Sequence, residues 1–408
     1  MLSFIEARRK VIEVVNTIAR APGRETVGLE SALGRVLAEQ IIADRDSPPF
    51  DRAIRDGYAV RAADLRGPGA KLSLIGEVRA GQAFAGVVGM GQCVQIMTGA
   101  AVPQAADAVV MIEYTRSEDA GGQARIIFER AAEPGQNIVP RGSEARAGKT
   151  LLNSGTRLSC AELSLAAHSG HPKLAVSARP KVGILSTGDE IVGPDENPGP
   201  FQIRNGNSVS LAAQAVSAGG EAILLGNARD EVSDLRRKIE QGLGCDALVI
   251  SGGVSTGKYD LVESVLHEFG AEVYFDGVAI RPGRPAVFCQ CKRKPVFGLP
   301  GNPVSTMVTF DLFVQPAVDI LGGAPPRPLP LFRAKLTEPL NEKPGLAHFL
   351  PAQAAWQDGE PTVRALPWHG SGDVVALTQS NCFIVVQEEK LQWQAGEWID
   401  VLPRGGKL

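Results

Sequence analysis

Between residues 181 and 321 the chain repeats one pattern: a short apolar run, a glycine-bearing turn and an amphipathic helix. Apolar runs fall at 182–185, 221–225, 247–250, 286–288 and 295–298, and helical periodicity at 207–218, 230–242, 261–269 and 303–321. Alternation of this kind predicts a doubly wound, mostly parallel sheet covered by helices on both faces. Such sheets gather their ligands in loops at the carboxyl ends of the strands.

The flanks read differently, and together they predict a multi-domain α/β chain. Residues 3–21 form a helix with Ile5, Ile12, Val15 and Ile18 on one stripe, and a second helix is expected over 29–42. Pro48 and Pro49 forbid its continuation. From 58 to 152, short β-like runs alternate with glycine-rich turns, and 161–169 is a helix closed by Gly170. Gly322-Gly323 and the prolines at 325–330 make a linker to a small all-β barrel or sandwich. The expected divisions are 1–46 with 146–177 (helical and linking), 47–145 (inserted, β-rich), 178–323 (central α/β) and 324–408 (C-terminal, barrel-like). No apolar run approaches the roughly 18 residues of a membrane span, and charges interrupt the first residues, so a cytoplasmic location is expected. With 42 basic and 45 acidic residues and no basic run longer than Lys292-Arg293-Lys294, neither nucleic acid nor a membrane is an expected partner. Cys289 and Cys291 form a lone C-x-C and read as structural thiols.

Four segments sit where the central sheet should present its loops. Ser186-Thr187-Gly188-Asp189-Glu190 combines hydroxyls, a glycine and two carboxylates, a set suited to Mg²⁺ and a phosphate or else to a solvated strand end. Ser251-Gly252-Gly253-Val254-Ser255, running on to Asp260 before a helix, lets backbone amides approach phosphate oxygens without Cβ obstruction. It lacks the ending of a P-loop, and Asp260 also stands where a helix N-cap would. Arg281-Pro282-Gly283-Arg284 offers two guanidinium groups to a phosphate or tetrahedral oxyanion. Pro300-Gly301-Asn302-Pro303 leads into the last helix, with Asn302 placed to cap and Pro303 in the first turn. A fifth segment, in the inserted region, sets Asp56-Gly57-Tyr58 after Pro48-Pro49-Phe50-Asp51, with Thr98-Gly99-Ala100 downstream.

In this order and at these separations, the five segments resemble the molybdopterin molybdenumtransferase family of the MoeA type, related to the C-terminal domain of gephyrin. The resemblance covers nearly the whole chain. It implies insertion of molybdate into adenylylated molybdopterin with release of AMP, assisted by Mg²⁺, in a homodimer whose active site joins the central domain of one subunit to the inserted domain of the other. The molybdopterin adenylyltransferase and apo-molybdoenzymes are further expected partners. By the same resemblance Asp56, Glu190 and Asp260 are the expected catalytic residues, and Asp189, Glu190 and Asp260 the metal ligands. Substrate binding falls to Thr98, Ser186, Thr187, Gly188, Asn207, Ser251, Gly252, Gly253, Ser255, Arg281, Arg284, Pro300, Asn302 and Pro303. The chain departs from the family pattern at Ala53-Ile54-Arg55, where Ser-Ala-Met is usual, at Arg281 and Arg284 in place of lysines, and at Val139 and Pro140 where arginines are usual. These departures set a second reading beside the transferase: a divergent homologue that carries molybdopterin or acts as a scaffold without turnover. A third, a molybdopterin adenylyltransferase, leaves the inserted and C-terminal domains without a purpose.

Overall fold

The computed structural model describes residues 1–119, 124–253, 261–387, 390 and 392–405. It divides into two compact units, one of Met1–Ala38, Gly155–Leu158 and Ala175–Leu408, the other of Glu39–Ser154 and Ser159–Leu174.

The larger unit is built on six strands in the order Glu221–Ala228, Lys181–Thr187, Ala247–Ser251, Lys294–Leu299, Val287–Cys291 and Glu272–Phe275. The first four run parallel, Val287–Cys291 runs antiparallel to them, and Glu272–Phe275, antiparallel to Val287–Cys291, returns to the common direction. From Lys181–Thr187 the chain goes outward to Glu221–Ala228, then crosses back to Ala247–Ser251 on the other side. That reversal opens a crevice at the carboxyl ends of the two central strands. Phe4–Ile18, Asn207–Ala218 and Pro303–Leu321 cover one face, packing Val11, Val15, Leu211, Val304 and Phe313 over Ile184, Val249 and Phe297. Val232–Gly242 and Leu261–Glu268 cover the other, where Leu235, Ile239 and Val265 meet Leu185, Leu248 and Val296. Each such side chain taken out of water stabilises the unit by roughly 1.5–3 kcal/mol.

The last of these helices is long and apolar enough to resemble a membrane span, yet 72% of that stretch is buried in the unit. It is not a regular α-helix throughout. Pro316 has no N–H to offer the Leu312 carbonyl one turn back, and Phe310–Val314 widens into a π turn. The buried guanidinium of Arg8 takes over, donating to the carbonyls of Leu312 at 2.7 Å and Arg327 at 2.5 Å. Beside it the Asp311 carboxylate accepts from Gln214 Nε2 at 2.7 Å. Desolvation among these helices pushes Asp311 up to about 6, against the pull of the Gln214 amide and of Arg404, Arg327 and Arg8.

At the C-terminal end of the unit, Ala347–Gln357, Glu360–Ala365, Phe332–Leu336, Trp398–Pro403 and Cys382–Val386 pair in that order, and the last returns to the first. The sheet therefore closes into a barrel around Leu336, Leu350, Val363, Ile384 and Val401. Ile280–Arg281 adds a short parallel strand to it, with Arg281 opposite His348. The smaller unit holds a mixed six-stranded sheet, Ala108–Met111, Gly57–Val60, Gln92–Ile96, Ala70–Val78, Ala124–Phe128 and Thr115–Asp119, buried on both faces. Its helix Cys160–His168 begins with a capping box between Ser159 and Glu162.

The helix expected over 29–42 does not form. Leu29–Ser31 is a single 3₁₀ turn, and Gly34 then takes a left-handed φ of 73°, which breaks any helix. Val36 bridges Arg157, Leu37 bridges Val176, and Ile41–Ile42 pairs with Thr150–Leu152. The first helix is also shorter than expected, ending at Ile18 rather than at 21.

The raised Asp311 carboxyl has a signed consequence. A carboxyl protonated more readily in the folded state than in the unfolded one contributes stability that is complete below about pH 4 and lost as pH rises through about 6. Asp311→Asn, which keeps the Gln214 contact and cannot ionise, is expected to gain on the order of 2 kcal/mol relative to the parent between pH 4 and pH 7. Urea denaturation of both proteins at the two pH values measures it, and parallel pH dependences would refute the assignment.

Candidate functional site

The crevice at the strand reversal is a cavity of about 860 Å³. Its floor follows from register: Ser186 pairs with Ser251, and Ser251 with Leu299, so three strands end level and release their loops at one depth. Ser186, Thr187, Gly188 and Glu190 enter from the first loop, Ser251, Gly252 and Gly253 from the second, and Pro300, Asn302 and Pro303 from the third. Asn207, at the first turn of its helix, ties the loops together. Its Nδ2 donates to Ser251 Oγ at 2.8 Å and to the Gly301 carbonyl at 2.7 Å. Ser255 and Asp260 lie outside the described residues.

Two glycines set how closely backbone can line the cavity. Gly252 and Gly253 have φ of 90° and 64°, and a Cβ on them would stand 2.8 Å from the Thr187 carbonyl and 2.7 Å from Thr187 Oγ1 respectively. Thr187 itself is 5% exposed, and among the described residues its hydroxyl has no hydrogen-bond partner. A buried donor held in this way offers itself to a ligand oxygen at no further desolvation cost.

Asn302 stands at the N-cap position but does not cap. Its Nδ2 donates instead to Ser371 Oγ at 2.9 Å, while the Val304 N–H donates to the Ser371 carbonyl at 3.0 Å. Next to the crevice, and sharing Pro285, Pro300 and Asn302 with it, lies a second cavity of about 400 Å³. Arg281 and Arg284 line this one with Ser305, Trp368 and Ser371. The turn between the arginines lies against the last helix, because Gly283 has no side chain to meet Thr309 Cγ2, which is 2.6 Å from where a Cβ would be.

Asp189 does not line the crevice. Its Oδ1 accepts the Asp230 N–H at 3.2 Å, and Asp230 lines the crevice with Glu190. Among the described residues no three His, Cys, Asp or Glu side chains converge as a closed metal cage. Glu190 and Asp230 nonetheless suit the way Mg²⁺ is usually held beside phosphates, by one or two carboxylates with the ligand's own oxygens and water completing the shell. In the smaller unit, Asp56 Oδ1 accepts the Thr98 N–H at 2.6 Å and the Thr98 hydroxyl at 2.7 Å. These two bonds, the backbone one first, hold the Asp56 carboxyl below its ordinary range.

Asp230, Asn205 and Asn227 are among the site residues that escaped the sequence reading. Asn205 Nδ2 donates to Ser186 Oγ at 3.0 Å, and its Oδ1 accepts the Ser208 N–H at 3.0 Å, joining strand end to helix start. Asn227 Nδ2 donates to the Gly188 carbonyl at 2.8 Å and fixes that turn. The only sequence signal for Asn205 was its place two residues before Asn207, at a helix start.

A crevice at the switch point of a parallel sheet, lined by glycine backbone and hydroxyls and adjoined by an arginine turn, is the kind of place where an α/β enzyme takes its ligand. Comparison with known proteins narrows the class. Residues 2–170 match the MoeA N-terminal region (domain I and II), 183–319 a probable molybdopterin binding domain, and 333–403 the MoeA C-terminal region (domain IV). The chain is 34% identical over 384 residues to the molybdopterin molybdenumtransferase of Bacillus subtilis (strain 168), covering 93% of this chain and 89% of that one. Against the molybdopterin molybdenumtransferase of Synechocystis sp. it is 33% identical over 380 residues, covering 92% and 94%. The crystal structure of a molybdopterin biosynthesis MoeA protein from Pyrococcus horikoshii OT3 superposes with a TM-score of 0.80 at 29% identity, covering 99% of this chain and all of that one. The chain belongs to the molybdopterin molybdenumtransferase family.

Gly253→Ala is expected to bring a side chain into Thr187 and Val262 in a left-handed conformation, costing about 1–3 kcal/mol of stability. It should weaken the binding of inorganic pyrophosphate to the crevice by about tenfold or more. Calorimetric titration and thermal melting of the purified variant read both, and unchanged affinity would remove the glycine loop from phosphate recognition.

Proposed function

We propose that the protein inserts molybdate into adenylylated molybdopterin and releases AMP. The single observation that carries this reading is the pair of adjoining cavities with different donors. The larger, with glycine backbone, hydroxyls and side-chain amides, suits the phosphoanhydride of the pterin substrate; the smaller, with Arg281 and Arg284, suits a tetrahedral dianion such as molybdate. Pro285, Pro300 and Asn302 border both, so the two substrates would meet across one shared edge.

In this proposal Thr187, Ser251 and the backbone of Gly252 and Gly253 hold the phosphates, and Asn207 and Asn205 keep the three loops in place. Glu190, Asp230 and Asp260 are the residues that would hold Mg²⁺, which when bound would supply positive charge against the anhydride. Catalysis is then mostly positioning and electrostatic stabilisation. Asp56, ionised and aimed by Thr98, is the candidate proton acceptor, and would be supplied by the other subunit of a homodimer.

A single-turnover assay with adenylylated molybdopterin, molybdate and Mg²⁺ tests the reading. Molybdate-dependent AMP release with molybdenum retained on the pterin is the expected result, and tight pterin binding without release would favour the carrier reading that Ala53-Ile54-Arg55 and Val139 keep open. Asp260→Asn and Asp56→Asn should each lower the rate by about a hundredfold or more while leaving the fold intact. Mixing the two variants should restore part of the activity through heterodimers. No recovery after verified subunit exchange would rule out a shared site.

A further inference from the structure

The basic run Lys292-Arg293-Lys294 has no part in the crevice. It lies where the central strands begin rather than where they end, roughly 20 Å away along a seven-residue strand. There it borders a separate cleft of about 320 Å³, formed with the loop after the first helix, the segment Ala178-Arg179-Pro180, and Asp246. Five basic residues, Arg20, Arg179, Lys292, Arg293 and Lys294, line this cleft, and Asp246 is the one carboxylate among its described lining residues. That carboxylate is already engaged, accepting the Lys181 N–H at 2.9 Å and Lys294 Nζ at 3.3 Å. The remaining walls include Ile18, Pro22, Pro180 and Leu321.

The turn that presents the cations is strained. Lys292 and Arg293 form the two-residue connection between Val287–Cys291 and Lys294–Leu299, with Cys291 paired to Lys294. Both take left-handed φ, 51° and 61°. Asn-Gly fits such a turn without penalty, whereas L side chains there cost about 1–2 kcal/mol per residue. Lys292 Nζ lies 4.9 Å over the Phe269 ring, and Arg293 Nη2 reaches the Ile18 carbonyl at 3.5 Å. Strain of this kind, kept at a concave surface with unbalanced charge, marks a site where charge is used.

We infer that this cleft binds a phosphorylated small molecule of nucleotide type: an organic body against the apolar wall and a chain of phosphates between the arginines. A bare anion would leave the apolar wall uncovered. The inference does not depend on the transferase reading, because none of these residues lines the crevice.

Calorimetric titration of the full-length protein with ATP, inorganic pyrophosphate and adenosine tests it, with Gly253→Ala titrated in parallel to separate any contribution of the crevice. ATP is expected to bind at one site per chain, several-fold more weakly at 200 mM than at 50 mM salt because the cations are exposed, with pyrophosphate weaker and adenosine silent. The pair Lys292→Asn with Arg293→Gly should cut ATP affinity at least tenfold while leaving the melting temperature equal or higher, since it relieves the turn. Arg20→Ala with Arg179→Ala should weaken it similarly. No saturable ATP binding, binding that survives both pairs, or pyrophosphate matching ATP would overturn the proposal.

Discussion

The functional site hangs on one pairing, the parallel register that sets Ser186 opposite Ser251. Side chains in a strand alternate between faces, so a slip of one residue would exchange the helix-covered set on one face for that on the other. It would set Ser186 among the apolar side chains that now surround Leu185 and lift the two glycine loops to different depths. Apolar packing on both faces makes that slip costly. Ile184 and Val249 belong to one core, and Leu185, Leu248 and Ile250 to the other. The site therefore inherits its geometry from residues that never touch a ligand.

A second dependence runs through the helix that starts at Pro303. Its first turn follows the loop shared by both cavities, and its middle widens into a π turn before Pro316, which has no N–H to offer the Leu312 carbonyl. An unmet carbonyl in this core would cost about 1–3 kcal/mol. Arg8, from a helix some three hundred residues earlier, removes that cost, and the ion cluster of Asp319 with Arg157 and Arg327 fixes the helix end. Asp319 is fully buried and accepts from both guanidinium groups, so removing either arginine would weaken a charge that water cannot reach.

Much of this was legible in the sequence for a local reason: strands, glycine turns and helix starts leave short-range marks, and the motifs at 186–190, 251–253 and 300–303 fell at strand ends as expected. What was not legible depends on long-range partners. The apolar spacing of Leu29, Ala32, Val36 and Leu37 mimics a helix, but Gly34 and bridges to Arg157 and Val176 draw the segment out. Asn302 has the sequence of a cap, yet Ser371 from beyond the linker takes its amide. Asp189 belongs by sequence to the loop that enters the crevice, yet it does not line it, and its Oδ1 accepts the Asp230 N–H. Barrel closure likewise rests on the pairing of Ala347–Gln357 with Cys382–Val386, which alternation of apolar residues does not encode.

The hydroxyl of Thr187, without a hydrogen-bond partner among the described residues, supports the reading proposed for the crevice. Folding has taken this group from water and supplied no acceptor or donor among the described residues, while Gly252 and Gly253 are bare on the side toward it. Serine neighbours do not share its condition: Ser186 bonds Asn205, and Ser251 bonds Asn207. A hydroxyl that needed only to pack would sit better as valine, whose shape is nearly the same and which carries no desolvation cost. The imbalance makes sense when a ligand oxygen completes the bond, because a donor already stripped of water and held in place stabilises incoming charge without reorganising.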